Sequence, residues 1–148
     1  MFKHILVSTD GSKLSGKAIR AAVRLAAATG AKLTGCYVVA PYVAPMYGEA
    51  AIYLPGLSAA QYRKNGARAA KKALAPVEIE ARTAGVEYRG AALTAGTPWE
   101  GIIHMAKGRK CDLIVMASHG RGGLGGLILG SETVRVLAHS KIPVLVVR

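Results

Sequence analysis

The residues with the most capacity for chemistry lie between Leu113 and Ser131. A short apolar run, Leu113 to Ala117, leads through Ser118 and His119 into a loop holding Gly120, Gly122, Gly123, Gly125 and Gly126. The loop closes on Gly130-Ser131, where a helical pattern begins. Glycine lets backbone approach a ligand closely, and a helix N-terminus offers unpaired N–H groups and a partial positive charge to an anion. Strand, glycine loop and helix start together describe a phosphate cradle.

Spacing separates the kinds of cradle. Gly120, Gly122 and Gly125 satisfy G-x-G-x-x-G. A dinucleotide site also needs a helix opening on those glycines and an acidic residue about 20 positions later. No Asp or Glu follows Glu132, and one strand pattern remains, so that reading falls away. Gly125 and Gly130 have the Walker spacing, yet Ser131 stands where a lysine must reach the β- and γ-phosphates. Neither G-x-S-x-G nor an acid partner accompanies Ser118 and His119, which argues against a nucleophile. His4, His104 and His139 are scattered and form no metal-ligand cluster.

The elements that must position this loop alternate along the chain. Phe2 to Ser8 reads as a first strand, followed by a helix capped by Ser12 and stopped by Gly30 after Thr29. Lys32 to Val39 is a second strand. Ser58 opens a helical pattern to about Thr83, which Pro76 should kink or split. Val86 to Leu93 alternates polar and apolar residues, as suits a sheet edge. Thr97-Pro98-Trp99-Glu100 reads as a capping box with proline at the first helical position, opening a helix to about Lys107 with Trp99 packing in its first turn. Leu113 to Ala117 is apolar throughout, as a strand buried on both faces should be. Ser131, a natural N-cap, opens a helix to His139, and Ile142 to Val147 is the last strand. Five strands separated by four helices require parallel pairing with crossover helices on both faces, an α/β architecture. Residues 40–57 break the rhythm with Pro41, Pro45, Pro55, Tyr42, Tyr47 and Tyr53, a long connection that reads as a lid, a partner surface or a tolerated loop.

Bulk properties bound the rest. A chain of 148 residues fits one domain, 1–148, and 51% hydrophobic against 19% charged residues argues for a compact soluble fold. No apolar stretch nears the roughly 18–20 residues of a membrane span. The N-terminus does not read as a signal peptide, because Asp10 closely follows a short apolar run. Cys36 and Cys111 share no metal or redox spacing and read as buried thiols of a reducing cytoplasm. The net charge of +12 invites a nucleic-acid reading. Lys13, Lys17, Arg20 and Arg24, and likewise Lys64, Arg68, Lys71 and Lys72, recur at helical spacing between alanines without interleaved aromatics, which favours solvated helix faces over a polyanion site.

Several segments, in order, resemble the universal stress protein family: HILVSTDGS near the start, GTPWEGII in the middle, DLIVMASHGR leading to Gly130-Ser131, and the ending HSKIPVLVVR. Nucleotide-binding members carry G-x2-G-x9-G-[ST]. Here Gly120 and Gly130-Ser131 match, and Ala117 replaces the first glycine. The resemblance implies a doubly wound sheet in the order 3-2-1-4-5 and an ATP site where the first and fourth strands neighbour each other. It implies that Thr9, Asp10 and Val38 line the adenine and ribose, and that Met116 and Ala117 flank the sugar. His119, Gly120, Arg121, Gly130, Ser131 and Glu132 would surround the phosphates, with Mg2+ or Mn2+ bridging them. Glu132 replaces a small apolar residue, and its carboxylate would repel phosphate if it turned inward. Without a Walker lysine or an evident general base, hydrolysis should be slow or absent. The apolar last strand, 142–147, sits at an edge in this order, and Pro143 is typical of one. Homodimerisation through it is expected. The competing reading is a dimeric interaction module of the same fold without nucleotide.

Overall fold

The computed structural model describes residues 1–43, 58–118 and 129–148. Most of the 40–57 connection and the glycine loop from His119 to Ile128 therefore lie outside the described residues. In chain order the elements are β1 (His4–Ser8), α1 (Ser15–Thr29), β2 (Lys32–Val39), α2 (Ala59–Thr83), β3 (Tyr88–Thr94), α3 (Pro98–Gly108), β4 (Leu113–Ala117), α4 (Ser131–His139) and β5 (Val144–Val147). The strands form one parallel sheet in the order β3-β2-β1-β4-β5.

Side-chain alternation along the central strands builds two cores. Ile5, Val7, Leu113 and Val115 pack with Ala18, Ala22, Val77 and Ala81, placing α1 and α2 on one face. Leu6, Ile114 and Met116 pack with Ile102, Ile103 and Val136, placing α3 and α4 on the other. β4 is buried along its whole length, whereas β3, an edge strand, alternates between exposed and half-buried residues. Both follow from the patterning of their sequences.

Three local expectations need correction. α1 begins at Ser15, with Leu14 rather than Ser12 in the cap position. Asp10 Oδ1 accepts from the Ser12 amide (2.9 Å) and Gly11 has φ 78°, so residues 10–12 form a turn outside the helix. The Ser12 hydroxyl instead accepts from the Ser15 amide at 3.3 Å. Pro76 does not split α2, which is continuous; the proline and Lys72, whose carbonyl loses its partner, both lie on the exposed side where water can replace the bond. The Thr97 side chain makes no capping bond to the backbone; its hydroxyl donates to Glu100 Oε2 at 2.6 Å. Ser58 does cap α2, accepting from the Gln61 amide at 3.1 Å.

At the amino end of the sheet, Asp112 ties β1 to β4, accepting from the amides of Lys3 (2.7 Å) and His4 (3.0 Å). Desolvation alone would raise its pKa, but these amides outweigh that and hold the carboxyl below its ordinary range. No helix among the described residues is long and apolar enough to cross a membrane.

Candidate functional site

β1 and β4 are neighbours, and the chain leaves their carboxyl ends in opposite directions, to α1 on one face and to α4 on the other. That divergence opens a crevice at the end of the sheet where ligands of doubly wound folds sit.

The β1 side is a rigid ledge. Thr9 is buried, its amide donating to the Cys36 carbonyl (3.0 Å). Its hydroxyl donates to Ser15 Oγ (3.0 Å) and accepts from the Gly11 amide (3.1 Å). The buried Ser15 completes the knot by donating to the Ser12 carbonyl at 2.7 Å. Asp10 follows directly, with Oδ1 holding the turn. Thr9 therefore offers backbone and a fixed position more than a free hydroxyl.

The β4 side answers the question raised by Ala117. The residue is paired with Val147 in the sheet, and Lys110 is the one non-glycine with positive φ among the described residues. Ala117 thus has an extended backbone that any residue adopts, and its methyl joins the core beneath α1. The missing glycine introduces no left-handed strain. Met116 points to the opposite core, 5% exposed, with Cys36 and Ile102. Core packing is its structural role.

Val38 lies two residues past the end of the β1 pairing on β2, half-buried against that same core. Gly101 of α3 sits directly behind it: a Cβ there would lie 2.8 Å from each Val38 methyl. Cys36, two residues earlier, has its thiol pushed up to about 12 by burial and by the nearby Cys111, whose own thiol is raised to about 11 chiefly by burial. Both cysteines are free.

Where the chain leaves β4 and where it returns to α4 are tied together. The Gly130 amide donates to the Ser118 carbonyl (2.8 Å), and the Ser118 amide donates to Val147 (2.8 Å). Thr133, 2% exposed, donates its hydroxyl to the carbonyls of Ala117 (3.2 Å) and Ser118 (3.1 Å). Gly130, at φ −60° and ψ 148°, is the cap residue, its carbonyl accepting from the Val134 amide at 3.0 Å. Ser131 is therefore the first helical residue, exposed, and not the N-cap its type suggested. Gly130 brings no side-chain cap, so the first amides of α4 require an acceptor from elsewhere.

Glu132 is turned sideways. Its Oε2 accepts from the Trp99 amide at 2.9 Å, and its Oε1 lies 3.6 Å from Arg135. Pro98 has no N–H and the Thr97 hydroxyl is engaged by Glu100, so Glu132 of α4 serves as the cap that α3 lacks. The Trp99 ring stacks on His139 with centroids 4.5 Å apart, fastening the two helices again.

The structure thus brings Thr9, Asp10, Met116, Ala117, Gly130 and Ser131 to one end of the sheet, with Val38 on the adjoining strand. His119, Gly120 and Arg121 lie outside the described residues. Ser15, Thr133 and Gly101 support the site; Gly101 falls within the GTPWEGII segment without standing out there, and the roles of all three come from partners distant in sequence or from close packing. Among the described residues no three His, Cys, Asp or Glu side chains converge as metal ligands.

Comparison with known proteins agrees with this fold. The sequence profile of the universal stress protein family matches residues 1–148. A universal stress protein of Thermus aquaticus is 36% identical over 148 residues, covering 100% of both chains. The solved structure of MJ0577, a universal stress protein of Methanocaldococcus jannaschii, is 26% identical with a TM-score of 0.80, covering 99% of this chain and 96% of that one. A universal stress protein crystallised in complex with cAMP is 25% identical with a TM-score of 0.71, covering 99% of this chain and 97% of the other.

Proposed function

The chain belongs to the universal stress protein family, and from that premise we propose that it binds ATP at the crevice between β1 and β4 and works as a nucleotide-dependent regulator. The observation that carries the reading is the Gly130 junction. The ends of the glycine loop are joined by the Gly130–Ser118 bond, and the start of α4 is aimed from that joint with no side chain of its own to cap it. A phosphate group is the natural acceptor for such a helix start. The Thr9-Asp10 ledge and Val38 stand on the adjoining strands, where a base and ribose would lie. That a relative of similar fold binds cAMP supports an adenine nucleotide as the ligand class.

Bound ATP would bring its own triphosphate charge and a divalent ion; the chain's residues would hold and orient it. The backbone amides near Gly130 would donate to the phosphate oxygens, while Ala117 leaves the sugar region free of strain. Glu132, occupied by Trp99 and Arg135, stays out of the phosphates' way. Ser131 stands where a Walker lysine would be, so the reading is of slow turnover or none and a protein that acts by binding. A cytoplasmic location fits two free buried thiols. Pairing of two copies through β5, an edge strand with Leu145 40% exposed, would complete a signalling dimer.

Calorimetry with ATP and Mg2+ tests the site. Gly130 has a backbone conformation open to any residue, so Gly130→Leu should fold normally and lose binding. Undiminished binding in that variant, or no heat with the native chain at millimolar ATP, would overturn the reading.

A further inference from the structure

The two basic helix stripes that look like separate solvated faces in the sequence become one surface in the fold. α1 and α2 pack side by side on the same face of the sheet. At about 100° per residue, Lys13, Lys17, Arg20 and Arg24 fall within about 60° of one another, counting Lys13 on the helical phase of the turn that precedes α1. Lys64, Arg68, Lys71 and Lys72 fall within about 100°. Both arcs lie opposite the buried residues of their helices, Ala18, Ala22 and Ala26 on one and Ala70, Ala73 and Val77 on the other. All eight cations are exposed.

Their charge is uncompensated. α1 contains no acidic residue, and α2 contains none before Glu78. The ion pairs among the described residues are Lys32–Glu87 and Glu132–Arg135, so none of the eight shares a carboxylate there. Both helices run back along parallel strands, so the two rows overlap at the carboxyl end of the sheet. Adjacent helix axes lie roughly 8–10 Å apart, comparable to the roughly 6–12 Å groove widths of a nucleic-acid duplex.

We propose that this face binds the sugar–phosphate backbone of duplex nucleic acid, with the two rows of cations set against the phosphates on either side of a groove. A repeating polyanion supplies one charge per roughly 1.7 Å of axis and matches rows of this kind without further recognition. The lack of interleaved aromatics fits backbone contact without base stacking. A membrane surface fits less well, because the rows contain no exposed large apolar side chain to enter it. Ile79, the exposed large apolar residue on α2, lies past Lys72, the last cation of the row, and between Glu78 and Glu80.

The experiment is fluorescence anisotropy of a labelled duplex of arbitrary sequence, titrated with the full chain between about 50 and 200 mM salt. The expected result is sequence-independent binding whose log K falls against log salt with a slope of about −4 or steeper. Lys17→Glu/Arg20→Glu/Arg24→Glu and Lys64→Glu/Arg68→Glu/Lys71→Glu should each weaken binding more than tenfold and flatten the slope by roughly 3. Lys107→Glu/Arg109→Glu/Lys141→Glu changes the net charge equally at other exposed positions and should change affinity less than threefold. Circular dichroism and ATP calorimetry on the same variants separate this surface from the nucleotide site. Absent binding at 50 mM salt, equal losses in all three variants, or tighter binding to phosphatidylserine vesicles than to duplex would each overturn the proposal.

Discussion

Removing the Glu132 carboxylate tests two consequences of where it points. Its Oε2 is the acceptor for the Trp99 amide, an N-terminal amide of α3 that neither Pro98 nor Thr97 satisfies. Loss of a helix cap costs about 0.5–2 kcal/mol. The side chain is 35% exposed and its Arg135 contact is a 3.6 Å surface pair worth little, so about 1 kcal/mol is expected for Glu132→Ala. In a domain of this size that is a fall in Tm of roughly 2–4 °C. Glu132→Gln keeps an acceptor and should lose only a few tenths of a kcal/mol. The second consequence concerns ATP. A carboxylate turned inward, about 5 Å from a phosphate, would oppose it by about 0.8–3.3 kcal/mol for effective dielectrics of 80 to 20, roughly fourfold to over a hundredfold in Kd. Because the carboxylate is held by α3, both variants should bind ATP within threefold of the native chain. Thermal unfolding and calorimetry read the two effects. A tenfold gain in affinity with unchanged Tm would show that the carboxylate faces the ligand and refute the assignment.

Four further outcomes follow from the same contacts. Thr133→Val leaves two carbonyls without their hydroxyl donor and should destabilise by about 1–3 kcal/mol in urea while weakening ATP; unchanged affinity would show that the junction does not position the ligand. Ala117→Gly removes a buried methyl and frees a strand backbone, a loss of about 1–2 kcal/mol with no gain in ATP affinity, and a tenfold gain would mean that the methyl crowds the sugar. Asp112 titrates below its unfolded value of about 3.9, so it stabilises the fold above that pH and the contribution is lost as pH falls through the folded pKa. Asp112→Asn should accordingly cost about 1–2 kcal/mol at pH 7 and progressively less as the pH falls through the folded pKa, and parallel stability curves for the two proteins would contradict this. With thiols at about 12 and about 11, Cys36 and Cys111 should resist iodoacetamide at pH 8 until guanidinium is added; stoichiometric labelling of the native chain would show that they are accessible.

Much of the sheet was legible because its signals are local. The unbroken apolar run at 113–117 and the half-polar run ending in β3 announce a central and an edge strand from their own residues. Helix starts were less legible. Ser12 and Ser131 have the right chemistry for caps, but the turn at Asp10 and the Ser118–Gly130 bond each displace the helix start. A bond between residues 12 positions apart, or 33 positions apart as for Trp99 and Glu132, leaves no periodic trace. The motif residues of the site were visible by type and by resemblance, while Ser15, Thr133 and Gly101 owe their roles to where the fold puts them.

Gly101 carries an implication for how such a site can change. Val38 is branched at Cβ and stiff, and on its α3 side it already touches the space that any side chain at position 101 would fill. A larger residue there must lift the helix or push Val38 along the crevice wall. If a base lies against Val38 as proposed, the width available to it is gauged from behind, by a residue that no ligand would touch. Selection for a different ligand could act on that hidden position and leave every contacting residue unaltered.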